Sequence, residues 1–203
     1  MTANPTPSDL LASLRRAIEA QDDDLAEHFV RRLTTADGAL VAELVTWLDD
    51  PDTDRRWWGA RTLVAVAGLA GDGATALDPL RKRLRDDDAS IRCAAALALA
   101  ELGLVEATDD LVETLSDVNG WVRASAADAL ALMGEKAVPA LATVLATGPQ
   151  GARSRAAHAL SKIRTLETAE VFYRYLQDEN QLVQAYAYDT LDQMGFLRTI
   201  LVV

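Results

Sequence analysis

The chain holds one cysteine, Cys93, and two histidines, His28 and His158, in 203 residues. A lone cysteine can neither close an internal disulfide nor make a zinc site by itself. A disulfide-stapled miniprotein is therefore excluded, and a reducing compartment, the cytoplasm, is the expected setting. The histidines lie about 130 positions apart and neither belongs to a His-Glu-x-x-His arrangement, so no metal and no cofactor are expected. Long apolar runs are missing as well. The stretch from Thr62 to Gly71 falls short of the roughly 18 residues a membrane helix needs, so no membrane partner is expected. The opening MTANPTPSDL has neither a positive start nor an apolar core, and no secretory signal is expected from it.

Positive charge is scarce in a lopsided way. There are 17 arginines but only 3 lysines, against 21 aspartates and 10 glutamates, for a formal net charge of −11. That sign opposes the phosphate neutralisation on which nucleic-acid affinity rests, so no nucleic-acid partner is expected. Aromatic residues make up 5% of the chain, while alanine is abundant, which points to helices. Gly68, Gly71 and Gly73 form a glycine-bearing stretch, yet no strand precedes it and no Lys-Ser/Thr follows. It reads as a loop and not as a phosphate cradle. Ser125 and Ser154 have no base near them in sequence and read as surface positions, and Cys93, flanked by alanines, reads as a small packed thiol.

What the chain does have is internal repetition. IRCAAALALAELG from Ile91, VRASAADALALMG from Val122, ARSRAAHALSKIR from Ala152 and VQAYAYDTLDQMG from Val183 align on an alanine pair or its equivalent, a leucine and usually a closing glycine. RRWWGARTLVAVA from Arg55 is a looser copy. The register residue falls at Arg56, Arg92, Arg123, Arg153 and Gln184, so the spacings are 36, 31, 30 and 31 residues, with an insertion around Gly68 to Gly73 lengthening the first. Before each copy stand apolar pairs four apart, on one face of a helix: Leu44/Leu48, Leu80/Leu84, Leu111/Leu115, Leu141/Leu145 and Phe172/Leu176. Between the two lie Asp- and Asn-rich turns suited to cap the second helix. Small residues such as Ala95-Ala96 let neighbouring helices approach closely, and a unit buries its apolar stripe only by stacking on the next. The expected fold is all-α: a right-handed α-solenoid of about five helix-turn-helix repeats over 38–195, capped by two helices within 1–37 and followed by an apolar tail, 196–203.

A turn Asp, then Val/Ile-Arg, an alanine pair, Ala-Leu and a terminal Gly resembles the HEAT-like repeats named after phycobilisome lyases, over about Ala39 to Gly195. The resemblance implies a ladder of turn aspartates and helix arginines between successive repeats, matched here by Asp86 to Asp88, Arg92, Asp117 and Arg123. Gln184 and the Gly148-Pro149 turn depart from it. The resemblance also brings a bilin-lyase-like accessory subunit into view as an alternative function. HEAT-like hydroxylases hold iron with repeated His-Glu pairs, whereas this chain has a single reversed Glu27-His28. HEAT-like DNA glycosylases use a basic groove, which the net charge opposes.

In such solenoids the second helices line the concave side. Positions one or two, five and nine beyond the register residue select the face opposite the packed alanines. These are Trp57, Trp58 and Arg61; Leu97 and Glu101; Ser125 and Asp128; Arg155, His158 and Lys162; and Tyr186, Asp189 and Gln193. Trp, Tyr and Arg dominate binding hot spots. The expected function is thus a non-enzymatic scaffold holding a protein or peptide at Trp57, Trp58, Arg61, Asp128, Arg155, His158, Tyr186 and Asp189, with one of the two tryptophans given over to packing against the capping helices. The acidic turns, Asp86 and Asp87 among them, are expected to be solvated.

Overall fold

The computed structural model describes residues 5–71 and 73–197; most of the expected apolar tail, 198–203, lies outside them. The described residues form helices and connecting turns, with no strand among them. They divide into two compact units that join in sequence at Leu104 and Val105.

The first unit holds α1 (Pro7–Glu19), α2 (Asp23–Arg32), α3 (Gly38–Trp47), α4 (Thr53–Ala70), α5 (Leu77–Arg83) and α6 (Ala89–Glu101). Helix α1 starts at a capping box in which Thr6 and Asp9 satisfy each other's backbone amides. Helices α3 and α5 pair with α4 and α6, α4 packs on α6, and the α1–α2 hairpin lies against α4. The second unit holds α7 (Thr108–Thr114), α8 (Gly120–Leu132), α9 (Val138–Thr147), α10 (Gln150–Ile163), α11 (Leu166–Tyr173) and α12 (Gln181–Gln193). There α8 packs on α10 and α10 on α12, each backed by the helix before it. This is an α-solenoid construction, one helix pair per repeat.

The packing follows the sequence register. Ala95, Ala96 and Leu99 in α6, Ala126, Ala127 and Leu130 in α8, and Ala156, Ala157 and Leu160 in α10 are fully buried. Methyl-sized side chains bring the helix backbones together, and each leucine fills the layer beneath. The long first spacing is an extra helical turn and not a loop: α4 runs through Gly68 and ends at Gly71, which takes the left-handed conformation at φ 69°. The later second helices end the same way at Gly103, Gly134 and Gly195, and α10 ends at Arg164 with φ 51°. A side chain in this region clashes with its own backbone, so Arg164 stands where glycine is at ease.

The turns repeat a device. Asp50, Asp86, Asp117 and Asp178, six residues before the register position, accept the amide two residues on, from Asp52, Asp88, Asn119 and Asn180. Those four then cap the second helices through the amides of Asp54, Ser90, Trp121 and Leu182. The register side chain closes the turn from inside. Arg56 Nη1 donates to the Asp50 carbonyl at 2.9 Å, Arg92 Nη1 to that of Asp86 at 2.8 Å, and Arg123 Nη1 to that of Asp117 at 2.7 Å. Gln184 Nε2 reaches the Leu176 carbonyl at 3.1 Å. The fourth copy differs. Thr147 occupies the aspartate position, and Pro149 caps α10 with no side-chain bond.

The arginine–aspartate ladder joins neighbouring repeats within each unit. Arg56 Nη2 meets Asp86 Oδ1 at 3.1 Å, and Arg153 pairs with Asp178. Asp86 is not a solvated cap. Its side chain is 2% exposed and it also takes Arg83 Nη1 at 3.0 Å, whereas the Asp87 side chain beside it is 93% exposed. Burial alone would raise the Asp86 carboxyl. The Asp88 amide, Asp87 and the Arg56 guanidinium outweigh burial and hold it below the ordinary carboxylate value.

Candidate functional site

The open faces of the second helices carry clefts in each unit. In the first, α4 and α6 bound a cleft of about 340 Å³ lined by Trp57, Arg61, Val64, Cys93, Leu97 and Glu101. Four of these are register-derived candidates: Trp57, Arg61, Leu97 and Glu101 converge as their spacing implies. Arg61 is held by Glu27 of α2, Nη2 to Oε1 2.8 Å, and Glu27 also receives Arg31. On the other side of Trp57 a second cleft of about 470 Å³ gathers Asp23, Asp24, Glu27 and Asp54 around the edge-to-face pair Trp57/Trp58, whose centroids are 5.0 Å apart. Cys93 is half-buried and faces the first cleft, so it is not the fully packed thiol its alanine neighbours suggested.

The two tryptophans part company. Trp57 is half-buried. Trp58 is 5% exposed, on the helix against which the hairpin of α1 and α2 lies. Trp58 therefore belongs to the packing and cannot serve as an open anchor.

In the second unit α8, α10 and α12 bound a cleft of about 310 Å³ lined by Arg123, Gly151, Ser154, Arg155, His158, Leu182 and Tyr186. Arg155, His158 and Tyr186 converge here, the last two with ring centroids 5.5 Å apart. Burial and Lys162 lower the His158 imidazole below its ordinary value; Asp128 pulls the other way and Arg155 adds to the lowering. Asp128 is engaged with Lys162 Nζ at 2.7 Å, and Asp189 is an exposed residue of α12 outside the cleft lining. Among the described residues no group of three or more His, Cys, Asp or Glu side chains could hold a metal ion, and no helix is long and apolar enough to cross a membrane.

The model of the HEAT repeats matches residues 41–131 and 77–161, together more than half of the chain. The chain belongs to the HEAT-repeat family. The phycocyanobilin lyase subunit alpha of Picosynechococcus sp. is 34% identical over 102 residues, 48% of this chain and 38% of that one, so the match spans well under half the relative's length. The HEAT-like repeats protein of the archaeon Thermococcus onnurineus NA1 superposes with a TM-score of 0.55 at 13% identity, over 95% of this chain and 82% of that one. A designed armadillo repeat protein in complex with the peptide (KR)4 superposes at 0.52 with 18% identity, over 94% and 100%. At these identities the superpositions establish the fold.

Two features of this HEAT-repeat surface escaped the register argument. Trp121 is 80% exposed and Leu182 57%, both two positions before a register residue, and Val118 in the turn before α8 is 95% exposed. They precede the register residue, whereas the candidate positions follow it. Arg123 is the other. The repeat marks it as a ladder arginine, and only the absence of an acid at position 147 betrays that it faces a cleft instead.

Proposed function

We propose that this HEAT-repeat chain is a non-enzymatic binding module that holds a protein or peptide partner on the open faces of its second helices. In this reading 1–37 caps the stack, 38–195 supplies the five repeats and 196–203 is an apolar tail. One observation carries the proposal. In each unit taken separately, the residues opposite the packed alanines line a cleft, Trp57 and Arg61 in one and Arg155, His158 and Tyr186 in the other, and these are types that concentrate binding energy. The acidic side of Trp57 favours a basic side chain laid over the indole, where cation–π and carboxylate attraction add. The armadillo neighbour was solved with a basic peptide; its likeness speaks to fold, and the weight rests on the residues here.

Panning a random peptide library against the full chain tests this, with each enriched peptide re-measured on single variants. Trp57→Ala should weaken the peptides by about 2 kcal/mol or more at a true hot spot, with the melting midpoint unmoved. Trp58→Ala should instead lower stability by about 3 to 5 kcal/mol, as removal of a buried indole does. Peptides that hold Trp57→Ala and Arg155→Gln as tightly as the parent would sink the proposal.

The lyase relative supports a second reading, an accessory subunit for bilin attachment. Phycocyanobilin mixed with the chain should then shift and sharpen its visible absorption; an unchanged spectrum removes this reading.

A further inference from the structure

The second-unit cleft is cationic in a chain of net charge −11, and the reason is local. In the ladder, a register arginine meets the aspartate six residues before the next register position: Arg56 meets Asp86, and Arg153 meets Asp178. For Arg123 that position is Thr147, whose hydroxyl is turned back onto the Thr143 carbonyl at 3.0 Å. Arg123 keeps the two backbone carbonyl contacts that Arg56 and Arg92 also make, here with Asp117 and Val118, and donates to no carboxylate. Arg155, on the neighbouring second helix α10, has no ion-pair partner among the described residues either. Asp128 is paired with Lys162 and Asp178 with Arg153, and Asp189 is exposed outside the cleft lining. Glu179 points to Gln150 and Arg153. The lining of the cleft thus has two guanidinium groups, one imidazole and two hydroxyls, and no carboxylate.

We infer that this cleft is a binding site for a phosphate monoester borne on a partner polypeptide, with Arg155 and Arg123 as its charged donors. The inference rests on the proposal that the partner is a polypeptide. Two forked guanidiniums offer more directed donors than one carboxylate can accept, and a dianion with three terminal oxygens uses them. Tyr186 and the exposed Leu182 supply an apolar wall for the chain that carries the phosphate. His158 reports occupancy. Lys162 and Arg155 disfavour its proton, so a dianion in the cleft offsets them and raises its pKa, the direction in which Asp128 already acts.

The test is a proton NMR titration of the full chain with N-acetyl-phosphoserine amide, in parallel with inorganic phosphate, N-acetyl-aspartate amide and a short DNA duplex. Saturable shifts at His158 and at amides of α8, α10 and α12, with a rise in the His158 pKa, are expected for the phosphoserine amide. Arg155→Gln should weaken it about ten- to a hundredfold at unchanged melting, the loss of one charge-assisted contact pair. Thr147→Asp, which offers Arg123 the missing ladder acid, should weaken it as well while keeping or raising the melting midpoint. Equal affinity for the aspartate amide, or for inorganic phosphate, would overturn the monoester or the peptide-borne source respectively. Tight binding of the duplex would overturn the partner class, and no shift at His158 would overturn the site. None of these results touches peptide capture at Trp57, so failure here is distinguishable from failure of the module itself.

Discussion

Asp86 shows how much one carboxylate can carry when a turn closes over it. It accepts from Arg56, Arg83 and its own turn amide, and its side chain is 2% exposed. Asp86→Asn should cost about 3 kcal/mol, since it removes the one buried counter-charge of two arginines whose other acid partners, Asp87 and Asp49, are exposed. Asp87→Asn, one residue on and open to water, should stay within about 0.5 kcal/mol of the parent. The pH dependence follows from the lowered carboxyl. Its folded pKa lies below the unfolded one, so the stabilisation is fully present above about pH 4 and drains away as pH falls through the folded value. Urea midpoints at pH 7 and at pH 3 should show the gap between parent and Asp86→Asn shrinking at the lower pH. A gap that is equal at both would mean that shape, and not charge, is what Asp86 contributes.

At the level of the helices, the ends differ more than the middles. Arg164 closes α10 at φ 51° where the four sister second helices use glycine. Arg164→Gly should relieve about 1 kcal/mol of backbone strain, read as a higher melting midpoint; a lower one would show that the Arg164 contact with the Ser161 carbonyl outweighs the strain. Gly148 is the opposite case. Its φ is ordinary, but an added Cβ would stand 2.6 Å from the Val144 carbonyl oxygen. Gly148→Ala should therefore destabilise, while Gly151→Ala, with open space around it, should not. The helices themselves were legible in the sequence because one short motif recurs, and its alanines and leucines report their own burial. The register also groups residues that share a cleft, Trp57 with Arg61 in the first unit and Arg155 with Tyr186 in the second. It failed where a neighbouring element decides. Of Trp57 and Trp58 one is expected from sequence to pack against the capping helices, but no periodicity within α4 says which; burial marks Trp58. Asp86 and Asp87 are adjacent identical letters with opposite surroundings: both meet Arg56, but only Asp86 is enclosed and also takes Arg83.

Across the whole molecule, the excess of eleven negative charges acts as a diffuse self-repulsion that salt can screen. The screening length falls from about 30 Å at 0.01 M to about 8 Å at 0.15 M, so scanning calorimetry should find the midpoint rising over that range. The buried Arg56–Asp86 pair is little affected by it, and a falling midpoint would mean that exposed ion pairs outweigh the repulsion. The interrupted ladder at Thr147 has a bearing on any attempt to regularise such an array. An engineer averaging the repeats would write aspartate at 147, complete the charge pattern and gain a sturdier protein. The same stroke would neutralise Arg123. Irregularity in a repeating chain is where the copies stop being interchangeable, and a design that erases it keeps the scaffold while discarding the instruction that told one cleft apart from the others.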